Sequence, residues 1–153
     1  MVGARVIWMT LPSPLGPLTL TEEDGAITAL SWEDGHSGTS ALLQEAALQL
    51  KAYFDGQLDR FDLSMRVKGS AFQRAVCDAM AAIPHSQTRS YGDLARDLGA
   101  PAQAIGQACG GNPIPILIPC HRVTGTQGLG GFSGGTGAET KVWLLRHEGG
   151  LLI

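Results

Sequence analysis

The sequence predicts an α/β protein. A small N-terminal α/β unit, a β-hairpin or sheet plus one helix, precedes a mostly helical C-terminal domain with a winged-helix-like helix-turn-helix. Three observations carry this expectation. Alternating apolar residues flank Asp24-Gly25, an amphipathic stretch runs from Ala41 to Phe54, and two short helical stretches meet around Gly99 ahead of a proline-rich apolar run. The chain of 153 residues is 44% hydrophobic and 16% charged. That is enough apolar matter for one or two packed domains and too little charge for a disordered chain. The expected boundaries are 1–65 and 66–153.

In the first domain Leu18 and Leu20 alternate with Thr19 and Thr21, and Ile27, Leu30 and Trp32 follow the Asp-Gly pair. An Asp-Gly pair between such segments signals a tight hairpin. Leu42, Leu43, Ala46, Ala47, Leu50, Tyr53 and Phe54 fall on one helical face, with Thr39 or Ser40 able to cap it. Residues 55–69 are polar and read as a linker.

The second domain opens at Ser70, a plausible N-cap for a helix in which Phe72, Val76 and Met80 recur every four residues; Ile83-Pro84 ends it. Tyr91 to Leu98 reads as a short helix with Leu94 and Leu98 facing inward. Gly99 breaks it, Pro101 fits the first turn of the next, and Gly110-Gly111 stops that one after Cys109. Asn112 to Pro119 holds three prolines in eight residues, so it is not helical; being apolar, it reads as a buried extended segment. Cys120-His121-Arg122 follows directly, then a glycine-rich loop, then a last helix near 139–148 with Val142, Leu144 and Leu145.

The halves differ in charge. Residues 1–65 carry three cations and nine anions, a formal −6, while 66–153 carry eight cations and five anions, a formal +3. Such asymmetry suits a chain that presents its C-terminal part to a polyanion, although ordinary surface variation explains it equally well. No apolar run is long enough to span a membrane, and the N-terminal apolar stretch is too short for a secretory signal. Three cysteines without a CxxC pair argue against a disulfide framework. A reduced, cytoplasmic protein is expected. The cysteines and the histidines at 36, 85, 121 and 147 lack zinc-ligand spacing, and the glycine-rich loop lacks the Gly-Lys-Ser/Thr of a phosphate-binding loop.

A cysteine reacts as its thiolate, so a reactive one needs a base or a positive charge nearby. Cys120 has His121 beside it and a rigid segment before it. From the bare Cys-His pair, a buried structural cysteine is the favoured reading.

The surroundings change that balance. Asn112-Pro113, then Ile118-Pro119-Cys120-His121-Arg122-Val123, then Gly130-Gly131-Phe132-Ser133-Gly134-Gly135, then Lys141 with Trp143 to Gly149, closely resemble the O6-alkylguanine-DNA alkyltransferases, also called methylated-DNA–protein-cysteine methyltransferases. Phe72 to Val76 and Ser90 to Ala95 match the start of that family's DNA-binding domain. The likeness is strong over about residues 70–150 and looser over 14–32.

The resemblance implies DNA repair by stoichiometric, single-turnover transfer of an alkyl group from O6-alkylguanine in duplex DNA to Cys120. The damaged base is flipped out of the helix first. His121 is implied as base through a bound water, with Glu148 orienting the imidazole. Tyr91 and Ser133 are implied donors to the guanine, and backbone carbonyls at Cys120 and Val123 are implied to read its exocyclic amine. Asn112 resembles the asparagine that bridges the helix-turn-helix to the active-site segment. Ala102, Gln103, Ala104 and Gly106, with Arg122, are the expected DNA contacts, the small residues allowing close approach in the minor groove. Alanines serve a core-packing helix equally well. No cofactor and no metal are implied, and a monomer acting on double-stranded DNA is expected. His121 and a neighbouring helix N-terminus would lower the pKa of Cys120.

Two departures stand out. Gln103 occupies the place of the family arginine that fills the gap left by the flipped base, which predicts weaker DNA affinity. Cys77 and Cys109 replace larger residues common in relatives. Two other functions compete: a non-catalytic alkyl-lesion binder, which Cys120 argues against, and a redox-sensing DNA-binding regulator using Cys120 and Cys109.

Overall fold

The computed structural model describes residues 5–125 and 137–149. The chain divides into two compact units, up to Arg66 and from Val67 onward.

The first unit is a three-stranded antiparallel sheet and one helix. The strands β1 (Val6–Leu11), β2 (Leu18–Glu23) and β3 (Ala26–Ser31) lie in chain order. β2 and β3 join through Asp24 at φ 49° and Gly25 at φ 84°. Left-handed values at both central residues are what a right-twisted two-residue hairpin demands, and Asp-Gly supplies them at little strain. β1 adds an outer strand that the alternation near Asp24-Gly25 does not announce, pairing Trp8 with Thr21 and Leu11 with Leu18. Helix α1 (Ala41–Phe54) is capped by Ser40, whose Oγ accepts from the Leu43 amide at 3.0 Å. Leu43, Ala46, Leu50 and Tyr53 of α1 are buried, as are Leu18, Leu20, Ile27 and Leu30 of the sheet. At about 25 cal/mol per Å² of apolar surface, that shared burial is the main force holding the unit. Residues 55–69 are more than a linker. The Ile27 amide donates to the Ser64 carbonyl at 2.8 Å and the Arg66 amide to the Ile27 carbonyl at 2.9 Å, so this stretch satisfies the free edge of β3.

The second unit clusters three helices: α2 (Ala71–Ala81), α3 (Tyr91–Leu98) and α4 (Ala102–Gly110). Ser70 caps α2, accepting from the Gln73 amide at 3.0 Å. Val76, Cys77 and Met80 are buried, but Phe72, expected in the same row, is 37% exposed. Gln73 takes the inner place in the first turn because its Nε2 donates to the Ala108 carbonyl of α4 at 2.7 Å. Ser90 and Asp93 form a reciprocal capping box at the start of α3, and Gly99 ends that helix at φ 63°. Leu94 is fully buried, while Leu98, expected inside, is half-exposed. Pro101 sits one position outside α4, as its N-cap residue.

The proline-rich run is buried, as expected, but turned rather than extended. The Ile118 amide donates to the Ile114 carbonyl at 2.9 Å and the Leu117 amide to the Pro115 carbonyl at 2.9 Å. Ile116 is held at φ 72°, a costly conformation for a β-branched residue that persists only where the surroundings impose it. Asn112 does much of the imposing. Its Nδ2 donates to the Ile118 carbonyl at 2.9 Å and its Oδ1 accepts from the Ile114 amide at 3.0 Å, closing the turn from within. The two-residue strands β4 (Arg89–Ser90) and β5 (Val123–Thr124) then pair in parallel. That pairing sets Tyr91, the first residue of α3, beside the chain just past Cys120. Helix α5 (Ala138–Glu148) buries Thr140, Lys141, Leu144, Leu145 and Glu148, with Val142 half-exposed. Among the described residues no helix is long and apolar enough to cross a membrane.

Candidate active site

The turned segment ends at Pro119, and Cys120, His121 and Arg122 form a single 3₁₀ turn. All three side chains are buried, with Cys120 6% exposed and His121 fully enclosed. His121 Nε2 lies 2.7 Å from Glu148 Oε2. The same carboxylate accepts from Arg122, Nε to Oε1 at 2.9 Å and Nη2 to Oε2 at 3.0 Å. Arg122 Nη1 donates to the Ile83 carbonyl at 2.7 Å, just past α2. A bidentate guanidinium holds Glu148 ionised, so the His121 nitrogen facing it carries the proton and donates. Burial pulls the His121 pKa below its ordinary value, outweighing the upward pull of Glu148. The imidazole is therefore neutral, and its Nδ1, which has no partner among the described residues, presents a lone pair.

The expectation for Arg122 is corrected here. At 6% exposure, with three of its nitrogens committed to Glu148 and the Ile83 carbonyl, it is not placed to meet a DNA phosphate. A guanidinium adjacent to a buried carboxylate is worth more as its partner than as a surface charge.

The expectation for the Cys120 thiol is corrected too. Burial pushes its pKa up, and the Asn112 side-chain hydrogen bond and the Lys141 charge only partly oppose this. Sequence adjacency to His121 does not bring a cation to the sulfur, because that imidazole is neutral. The buried Cys109 thiol is pushed up to about 12, mainly by desolvation. Cys77 is buried and also raised, again by desolvation first.

Tyr91 is half-buried, and burial raises its pKa, so its hydroxyl remains a protonated donor. The Val123 carbonyl, expected to face a guanine amine, accepts from Lys141 Nζ at 2.6 Å. A carbonyl oxygen has a second lone pair, so the two contacts are compatible. On α4, Ala102 and Gln103 are exposed, and Ala104 and Gly106 are half-exposed. The opposite face buries Ile105, Ala108 and Cys109, so core packing accounts for that face alone. A Cβ built on Gly106 would meet no atom within 4 Å, so the fold itself does not require glycine there. Ser133 lies outside the described residues. Among the described residues no group of three or more His, Cys, Asp or Glu side chains is placed to hold a metal ion.

Sequence reasoning assigned no role to Lys141, which is fully buried. The available signal was its place on the inner stripe of α5, seven residues before Glu148 and four before Leu145.

A buried thiol followed by a neutral histidine, a carboxylate and an arginine, carried on a domain with a helix-turn-helix, defines a cysteine-acceptor protein of the nucleic-acid-binding kind. Comparison with known proteins gives the family. Residues 71–150 match the family model for the 6-O-methylguanine DNA methyltransferase DNA-binding domain, and residues 6–67 match its ribonuclease-like domain. The methylated-DNA–protein-cysteine methyltransferase of Mycolicibacterium paratuberculosis is 43% identical over 139 residues, covering 84% of each chain. That of Salmonella typhimurium is 39% identical over 171 residues, covering 97% of this chain and 99% of its own. The crystal structure of the Mycobacterium tuberculosis O6-methylguanine methyltransferase superposes with a TM-score of 0.85 at 38% identity, over 97% and 96% of the two chains. A Mycobacterium tuberculosis structure in complex with DNA gives a TM-score of 0.84 at 41% identity, over 94% and 93%. This chain belongs to the 6-O-methylguanine DNA methyltransferase family.

Proposed function

We propose that Cys120 is the alkyl acceptor, taking the group from O6-alkylguanine flipped out of double-stranded DNA, one group per molecule. The observation that carries this reading is the chain of contacts around Cys120, in which Arg122 fixes Glu148, Glu148 fixes His121, and the imidazole keeps a basic nitrogen with no partner among the described residues. His121 accepts the thiol proton at Nδ1, through a bridging water. The sulfur then attacks the alkyl carbon. The S–C bond forms, the C–O6 bond breaks, and the electron pair passes to the guanine. The proton that His121 took from the thiol is passed on to the guanine, which leaves as the neutral base, so the sum of charges is unchanged. Tyr91 and Ser133 donate to the leaving base as its negative charge builds. The backbone carbonyls of Cys120 and Val123 read its amine.

The outer face of α4 meets the minor groove. Ala102, Ala104 and Gly106 allow close backbone approach, and Gln103 fills the vacated stack. The open space at Gly106 supports this, since the fold would accept a side chain there. Asn112 supports the acceptor turn from within, holding the Ile114 amide and the Ile118 carbonyl. Every site residue comes from one unit of one chain, which supports action as a monomer. The N-terminal unit, residues 1–65, is structural and the unit from 66 onward does the chemistry. Free buried thiols suit the reducing cytoplasm.

The test is intact-mass and peptide mass spectrometry after incubation with a duplex carrying O6-methylguanine. A gain of one methyl, located on Cys120 and absent in Cys120→Ser, is the expected result. Binding without a mass change would mark a lesion binder. A Cys120–Cys109 disulfide under peroxide, with no methyl uptake, would mark a redox regulator.

A further inference from the structure

Lys141 is a lysine with no exposed surface. Burying an ammonium costs several kcal/mol unless its surroundings compensate it, so its position calls for a physical account. Its Nζ donates to the Val123 carbonyl at 2.6 Å, three residues past the acceptor cysteine. It also stands 5.8 Å from the centroid of the Tyr91 ring, within cation–π range. Those contacts tie α5 to β5 and to the start of α3, and they fix the ammonium beside the acceptor site. Burial pulls the Lys141 pKa below its ordinary value, the two thiols Cys120 and Cys109 pull it back up, and in its charged form Lys141 in turn favours the anionic forms of both.

We propose that Lys141 is a positioning residue of the transfer reaction: anchored on the Val123 carbonyl, its buried ammonium is the counter-charge that favours the Cys120 thiolate. The inference rests on the reading of Cys120 as alkyl acceptor. The charged and titratable groups around the thiol come from every element of the site. Cys77 lies on α2, Tyr91 on α3 and Cys109 on α4. His121 and Arg122 follow in the 3₁₀ turn, and Lys141 and Glu148 lie on α5. Glu148 is committed to Arg122 and His121, and His121 is neutral, so neither brings positive charge to the sulfur. Lys141 does. Deprotonation of Cys120 then turns a buried cation beside a neutral thiol into a buried ion pair. Burial of the thiol alone would oppose that step.

The experiment measures thiolate formation without DNA. The full-length protein is labelled with iodoacetamide, a small neutral electrophile, over a pH series, and the Cys120 peptide is quantified separately from those of Cys77 and Cys109. Lys141→Gln removes the charge but can keep a donor near the Val123 carbonyl, Lys141→Met removes both, and Lys141→Arg keeps the charge. Thermal midpoints identify the folded variants. The expected result is a labelling midpoint for Cys120 about one pH unit higher in Lys141→Gln and Lys141→Met, which is about tenfold slower labelling at a fixed lower pH. Lys141→Arg should stay near the wild type. A Lys141→Gln midpoint equal to the wild type would overturn the proposal. So would a shift confined to Lys141→Met, which would assign Lys141 a purely structural bond. If the midpoints shift but the wild type takes no methyl from O6-methylguanine DNA, the acceptor reading fails and the electrostatic one stands.

Discussion

Replacing Arg122 by methionine separates its two possible roles. In the structure its guanidinium makes two hydrogen bonds to Glu148 and one to the Ile83 carbonyl, with Glu148 3% exposed. Methionine fills similar volume but leaves a buried carboxylate short of its cation. Breaking a buried pair from one side costs about 3–5 kcal/mol. The orphaned Ile83 carbonyl adds about 1–3 kcal/mol if water does not reach it. Taking about 3 kcal/mol as the smaller outcome, a domain of this size should melt at least about 12 °C lower. The chemistry should change as well. Glu148 without Arg122 draws a proton onto His121, and an imidazolium cannot accept the thiol proton, so methyl transfer should require higher pH. Two assays check this: thermal unfolding, and single-turnover methyl transfer over a pH series. The refuting result is a variant within about 0.5 kcal/mol of the wild type, as an ordinary surface substitution would be, whose duplex affinity is weaker with a salt slope lower by about 0.9, the signature of one lost phosphate contact.

Asn112→Ala removes the bonds that close the turn before Cys120; the Ile118 carbonyl keeps the Cys120 amide at 2.8 Å while the buried Ile114 amide loses its acceptor, so a loss of about 1–3 kcal/mol in urea unfolding is expected, and near-wild-type stability would show that the turn holds itself. Gln103→Arg should tighten binding to duplex DNA in a titration at fixed salt, and unchanged or weaker affinity would move the insertion role off this position. Cys109, held neutral by burial, contributes stability below its ordinary value of 9.0 that is lost as pH rises toward about 12. Thermal melts across that window should fall less steeply in Cys109→Ala. His121 works in the opposite sense: its folded pKa lies below the ordinary 6.5, so its contribution is present above that value and is lost as pH falls below it. His121→Gln should flatten the acid side of the melting profile.

The sequence alone determined the local elements, because their causes are local. Ser70 is a cap, Asp24-Gly25 makes the hairpin, and Gly99 stops α3, each through the conformation or hydrogen bond of one or two residues, whereas the sequence leaves the α1 cap open between Thr39 and Ser40 and the structure gives it to Ser40. The motif around Cys120 likewise pointed to the acceptor, since Cys120 and His121 are neighbours in the chain. What lies beyond a few residues' reach was decided by tertiary structure. β1 and the 64–66 edge depend on pairing with distant strands, and the proline-rich run turns because Asn112 and Ile118 meet. Arg122 reads as a DNA contact until Glu148, 26 residues on, takes its guanidinium. Cys120 reads as an acidic thiol until burial sets the sign of its shift. Lys141 carried no role in the sequence because its partners, Val123 and Tyr91, come from other elements. Desolvation and charge pairing are properties of the folded neighbourhood, and a linear pattern of residues does not contain them.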